Sequence, residues 1–266
     1  MRRVLAITVA AVAALTLAAG CDSDDPVADG TAPSVPLSPS PSATTASPEP
    51  SAPSSSPSSS PTATAAPRPK KLKSGAKGAE VVALQNRLTE LGYWNGKADG
   101  KFGGTTQQAV FALQKAAGVG RDGTVGPKTW KALDSGVRPK ARSTSGKVVE
   151  IDLKRQLLLL VDNGQIAQIF NTSTGSMDYY EQEGQTYLAD TPRGKFRVSR
   201  QIDGWRNAPL GLLWRPKYFN GGIAVHGAPS VPPYPASHGC ARVSVAAMNW
   251  MWKNDALPIK TRVWVY

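Results

Sequence analysis

Histidine and cysteine are both scarce, with two of each in 266 residues. A disulfide framework is therefore excluded as the basis of the fold, and Cys21 and Cys240 are too differently placed to be expected as a pair. A structural zinc site needs about four ligands, and only His226, His238 and Cys240 lie near one another in the chain. Neither a metal nor a cofactor is expected. Acidic residues are also in short supply, 19 against 31 Lys and Arg, for a net charge of +12. Such a balance suits an anionic polymer as partner. Long apolar runs are missing as well: the N-terminal one, Val4 to Ala19, is about 16 residues and short for a bilayer-spanning helix.

That run follows Arg2 and Arg3 and ends in Leu17-Ala18-Ala19-Gly20-Cys21, which reads as an export signal over residues 1–20. Small residues directly before a cysteine resemble a bacterial lipobox, and the resemblance implies a lipid on Cys21 holding the protein at the outer face of the membrane. An ordinary secretory signal is the alternative. Residues 21–72 form a tether: from Thr31 to Pro67 the chain is almost entirely Ser, Pro, Ala and Thr, with Glu49 as its single charge, and cannot bury a core. The basic residues concentrate just beyond, 16 against 5 acidic in residues 68–147 but 13 against 9 in residues 148–266. For an exported chain the anionic partners expected are wall polymers and lipid headgroups, not nucleic acid. A basic surface kept for solubility would read the same.

An internal repeat lies within that basic segment: Asp99-Gly100-Lys101-Phe102-Gly103 with Thr106 and Ala109, then Asp122-Gly123-Thr124-Val125-Gly126 with Thr129 and Ala132. Each copy predicts a tight turn leading into a helix, with Pro127 at a first helical position where its missing N–H costs nothing. Val81, Leu84, Leu88 and Leu91 predict an earlier helix with one apolar face. This three-helix pattern, residues 73–136, resembles the small peptidoglycan-binding domain of wall hydrolases and transpeptidases. The matching positions are mostly turn glycines and core residues, so they carry the fold and assign no ligand contact.

After a basic linker at residues 137–146 the periodicity becomes extended. Lys147 to Leu153, Gln156 to Val161, Gln165 to Asn171, Gly194 to Arg200, Gly222 to His226 and Arg262 to Tyr266 read as strands, the second and third joined by a hairpin signal at Asp162-Asn163-Gly164. Ser244 to Lys253 is the one helix expected here, with Met248, Trp250, Met251 and Trp252 as packing residues. Residues 147–266 are thus a mainly β domain. His226 closes the strand Gly221-Gly222-Ile223-Ala224-Val225-His226, and Cys240 follows the proline-rich loop Ala228 to Ala236. A thiol with a free pKa of about 8.5 is a weak nucleophile at neutral pH, and a rigidly placed imidazole can take its proton.

The motifs Ser173-Thr174-Gly175, Thr191-Pro192-Arg193-Gly194-Lys195-Phe196, Val225-His226-Gly227 and Ser237-His238-Gly239-Cys240-Ala241-Arg242 resemble those of a YkuD-type L,D-transpeptidase. The resemblance implies a multidomain chain, a helical wall-binding bundle before a β-sandwich catalytic domain. It implies Cys240 as nucleophile, His226 as proton carrier and the Gly227 carbonyl as the group orienting that imidazole. Ser237 and His238 would shape the pocket, the Gly239 and Cys240 amides would face the oxyanion, and Arg242 would add positive charge near the acceptor. The implied reaction crosslinks peptidoglycan stem peptides through a thioester, in cell-wall biogenesis. Trimming of tetrapeptide stems as an L,D-carboxypeptidase, and an inactive wall-binding lipoprotein, are the alternatives. The partners expected are peptidoglycan and, through Cys21, the membrane, for a protein working as a monomer.

Overall fold

The computed structural model describes residues 71–266. The expected export signal, Cys21 and nearly all of the expected tether lie outside the described residues. Among those described, no helix is long and apolar enough to cross a membrane.

Three helices come first, α1 (Ala79–Glu90), α2 (Gly104–Ala117) and α3 (Pro127–Asp134). Helix α1 buries Val81, Leu84 and Leu88, as their spacing predicts, and Pro127 opens α3. Each Asp-Gly repeat is closed by a buried glutamine from the preceding helix. Gln85 Nε2 donates to Asp99 Oδ1 and to Thr106 Oγ1, both at 2.9 Å, while its Oε1 accepts from Gly100 N at 2.9 Å. Gln114 repeats the arrangement with Asp122 Oδ1 at 2.7 Å, Thr129 Oγ1 at 3.2 Å and Gly123 N at 3.0 Å. The bond from Gln85 is the main cause holding the Asp99 carboxyl below the usual carboxylate range. Gly123 is fixed as glycine twice over: its φ is +69°, and a Cβ there would stand 2.9 Å from Phe111 Cε1.

Twelve strands and one more helix follow. They are β1 (Lys147–Asp152), β2 (Leu157–Asp162), β3 (Gln165–Asn171), β4 (Tyr179–Gln182), β5 (Gln185–Leu188), β6 (Gly194–Arg197), β7 (Arg200–Gln201), β8 (Trp205–Ala208), β9 (Gly211–Asn220), β10 (Ile223–Ala228), β11 (Ala241–Ser244), α4 (Val245–Lys253) and β12 (Arg262–Val265). One sheet runs β3-β2-β1-β12-β6 and the other β11-β10-β9-β7 with β8 on β9, while β4 and β5 form a separate hairpin. Positive φ at both Asn163 and Gly164 marks the hairpin turn that the sequence predicts between β2 and β3.

Several boundaries differ from expectation for local reasons. Gln156 does not open a strand; it is a turn residue at φ +60° whose side chain ties Leu153 O to Thr174. The stretch Gly194–Arg200 divides between the two sheets as β6 and β7. His226 does not end its strand, because pairing with β11 carries β10 on to Ala228.

Strand β2 explains how the two halves of the chain meet. Its run Leu157-Leu158-Leu159-Leu160-Val161 is apolar at every position, which suits a strand covered on both faces. Leu157, Leu159 and Val161 join Ile169 in one core with Val81, Leu84, Leu88, Val110 and Leu113 of the helices. Leu158 points the other way, into the sandwich core with Val149, Ile151, Phe170, Val225, Met248 and Met251. Trp94 N donates to Ile169 O at 3.0 Å and Ile169 N to Gly92 O at 2.8 Å, so backbone bonds reinforce the seam. Lys115 is buried in it. Its Nζ donates to Gln156 O and Thr172 O, both at 2.9 Å, and to Asn171 Oδ1. Burial pulls the Lys115 ammonium down to about 6, with Arg121 adding to the pull.

Gln114→Leu would strip the Gly123 amide and Asp122 of their partner. A loss of about 2 kcal/mol is expected, measured by urea unfolding, since a buried amide is left unpaired.

Candidate active site

The site lies on two adjacent strands that run parallel. β10 and β11 pair with Val225 beside Ala241 and His226 beside Arg242. Side chains alternate across a strand, so Val225, Ala241 and Val243 point into the sandwich core. His226, Cys240 and Arg242 point the other way, into a cleft of about 790 Å³. Gly227 sits on the core side, where a Cβ would come 2.8 Å from Trp214 Cδ1 and 3.1 Å from Met248 Cβ. The Val-His-Gly and Cys-Ala-Arg-Val patterns are thus one alternation written twice: apolar or small residues inward, chemical residues outward.

His226 is buried, and its Nδ1 donates to Gly227 O at 2.9 Å. That bond fixes the tautomer and leaves Nε2 with a lone pair for a proton. Burial lowers the imidazole to about 4, with Arg242 adding to the effect and the Gly227 bond opposing it. Cys240 is half-buried beside Leu213, Tyr218 and Ala224. Its Sγ accepts from Ala224 N at 3.4 Å and donates to Gly222 O at 3.8 Å. Burial raises the thiol, opposed by the Ala224 amide and Arg242. The two shifts agree on a resting pair of neutral thiol and neutral imidazole.

The residues around the thiol form a tight loop. Ser237 Oγ donates to Cys240 O at 2.6 Å and accepts from Gly239 N at 3.0 Å. The Gly239 amide is therefore already spent inside the loop, in place of the free oxyanion donor expected from the sequence. Gly239 has φ +142°, and a Cβ there would meet Asp190 O at 2.7 Å. His238 stacks edge-on against Tyr180 of β4, ring centres 4.8 Å apart, and Tyr180 stacks on Tyr187 of β5. The β4–β5 hairpin thereby lines the cleft, as do Arg206 of β8 and Leu212 of β9.

Three residues outside the expected set take part. Thr191 Oγ1 accepts from Gly175 N at 2.9 Å and donates to Gly239 O at 2.6 Å, joining three of the sequence motifs in one contact. Its place in the Thr191-Pro192-Arg193-Gly194 motif was the available signal. The Ala224 amide and the Tyr180 ring had none, since a backbone donor and an exposed hairpin leave no local mark. Among the described residues no group of three or more His, Cys, Asp or Glu side chains gathers as a metal site would require.

Comparison with known proteins agrees with this organisation. Residues 146–265 match the family model of the L,D-transpeptidase catalytic domain, and residues 77–133 that of a peptidoglycan binding domain. The crystal structure of an L,D-transpeptidase from Xylanimonas cellulosilytica is 57% identical, with a TM-score of 0.73, over 76% of this chain and 100% of that one. The N-acetylmuramoyl-L-alanine amidase CwlL of Bacillus licheniformis is 49% identical over 79 residues, 29% of this chain and 22% of CwlL. The amidase CwlM of Mycobacterium tuberculosis is 34% identical over 108 residues, 34% of this chain and 26% of CwlM. The chain spans between about a fifth and a third of the length of the first curated relatives it matches.

The neutral resting pair sets a pH signature. Alkylation of Cys240 by iodoacetamide should be slow at pH 7 and rise through a midpoint above about 8.5. A plateau already reached at pH 6, as a thiolate–imidazolium pair gives, would contradict it.

Proposed function

This chain belongs to the L,D-transpeptidase family, and from that premise we propose that it crosslinks peptidoglycan stem peptides with Cys240 as nucleophile and His226 as proton carrier. The observation that carries the reading is the strand pair that places both side chains on the cleft face, with His226 Nδ1 committed to Gly227 O. The donor would be a tetrapeptide stem lying in the cleft. As Sγ attacks the carbonyl carbon between the third residue and the terminal D-alanine, its proton passes to His226 Nε2. The carbon–nitrogen bond then breaks, the departing amine of D-alanine takes that proton, and a thioester remains on Cys240.

An amine on the third residue of a second stem completes the reaction. It attacks the thioester, gives its proton to His226, and the Cys240 sulfur leaves and regains a proton. The Cys240 amide would stabilise the oxyanion, while the Gly239 amide stays on Ser237 Oγ and holds the loop in shape. Ser237 and His238 hold the shape of the pocket, and Arg242, beside His226 in register, supplies positive charge for a carboxylate of the acceptor. The raised thiol and lowered imidazole suit a proton that moves together with the attack, since neither partner pays for a standing charge in the resting site.

The remainder of the chain fits work at the wall. Residues 73–136 would hold peptidoglycan, residues 137–146 link them to the catalytic residues 147–266, and a lipid on Cys21 would anchor residues 21–72 as a tether at the outer face of the membrane. The protein would act there as a monomer.

Full-length protein incubated with a purified disaccharide-tetrapeptide should give crosslinked dimers with loss of D-alanine, read by mass spectrometry. Cys240→Ala should give none while still pelleting with insoluble peptidoglycan. Tripeptide without dimer would replace crosslinking with carboxypeptidase trimming, and turnover by Cys240→Ala would remove the nucleophile assignment. For the anchor, Cys21→Ala expressed in an exporting bacterium should move from the detergent to the aqueous phase on Triton X-114 partition; unchanged partition would overturn the lipid.

A further inference from the structure

The loop that leads into Cys240 is rich in proline, with Pro229, Pro232, Pro233 and Pro235 between β10 and β11. Proline lacks an N–H, so the loop cannot enter a sheet ladder and its carbonyls must find donors elsewhere. Two of those donors come from the helical module. Gln108 Nε2 of α2 donates to Val231 O at 3.1 Å, and Arg121 Nη1, in the turn after α2, donates to Pro233 O at 3.1 Å. Asn171 binds both sides of this contact, its Nδ2 donating to Gln108 Oε1 at 2.6 Å and to Val231 O at 3.2 Å.

The segment after Asn171 carries the loop onward to the thiol. Ser173 Oγ donates to Tyr234 O at 2.8 Å, and Ala236 N and Ser237 N donate to Thr174 O at 3.0 and 2.9 Å. Ser237 Oγ then holds Cys240 O, and Thr172 Oγ1 holds Arg242 O at 2.8 Å. Behind this segment stands Lys115, bonded to Thr172 O, to Asn171 and to Gln156 O. Gln156 in turn clasps Thr174 through both ends of its amide, at 2.6 and 2.8 Å. Every step from α2 to the nucleophile is a hydrogen bond between named atoms.

We propose that the helical module is a working part of the catalytic apparatus, with Gln108, Lys115 and Arg121 as positioning residues for the segment Val231–Cys240. The proposal rests on the assignment of Cys240 as nucleophile. A module whose sequence reads only as a wall-binding bundle would then have a second function, holding the thiol loop in register with His226. Misplacement of a reacting group by about 1 Å can cost on the order of 10²-fold in rate, so three side chains remote from the cleft can control turnover.

The test uses full-length protein with Gln108→Ala and Arg121→Ala combined, and Lys115→Met as a second variant at the buried end. Each is compared with wild type by thermal melting, pelleting with peptidoglycan, hydrogen exchange read by mass spectrometry, iodoacetamide alkylation of Cys240, and kcat and KM. For the double variant, melting and pelleting should stay near wild type. Exchange should quicken in residues 229–240 while α1 and α3 keep their protection, and Cys240 should alkylate faster at pH 7 as its burial loosens. The value of kcat should fall by about 10-fold or more with KM within about twofold. Arg121→Lys with Gln108 intact should keep part of the kcat that the double variant loses. A folded double variant with wild-type exchange in 229–240 and wild-type alkylation would overturn the proposal. Exchange and alkylation need no turnover, so a chain inactive on stem peptides would defeat the transpeptidase reading while these readouts still decide the positioning role.

Discussion

The structure depends on the sheet edge formed by β2 and β3 being covered on both faces. Alternating leucines in β2 serve two cores at once, Leu157 and Leu159 with the helices and Leu158 with the sandwich. At roughly 25 cal/mol per Å² of apolar surface removed from water, three or four such side chains supply several kcal/mol to hold the seam closed. With the seam closed, Lys115, Gln108 and Arg121 reach backbone carbonyls of the catalytic half. The helices of this protein therefore complete a hydrophobic layer of its β domain as well as forming their own bundle.

At the site the controlling constraint is the parallel register of β10 and β11. Placing Val225 beside Ala241 sends both inward and leaves His226, Cys240 and Arg242 on one outward face. The same burial that orders these groups sets their charge states, raising the thiol and lowering the imidazole. Arg242 opposes the first shift and adds to the second, so a single guanidinium biases the pair toward thiolate and neutral imidazole without creating a standing ion pair.

Much of this was legible in the sequence. The Asp-Gly repeats announced two turns, the Asn163-Gly164 pair announced a hairpin, and the two His-Gly motifs singled out His226 and Cys240. The glutamines that close the turns were harder to assign, because a buried Gln85 or Gln114 on a helix looks the same in sequence as an exposed one. The hairpin β4–β5 and strand β8 have few buried residues and carry no apolar alternation, while β9 holds Pro216, which in sequence argues against a strand. β11 escaped notice because four residues within a chemical motif offer too short a period. The unbroken run Leu157–Val161 did hold the answer to how the halves join: a strand apolar on both sides requires a cover for each, and a flexible linker between independent modules would have left one bare.

The shared core also bears on how such a chain can be recombined. Cutting within residues 137–146, where sequence suggests a natural joint, would expose Leu157, Leu159, Val161 and Ile169 on one fragment and the inner faces of α1 and α2 on the other. Neither piece could be passed to a new protein without a substitute for the missing layer. Moving either part of this chain therefore means carrying along, or replacing, the apolar surface that the other part covers.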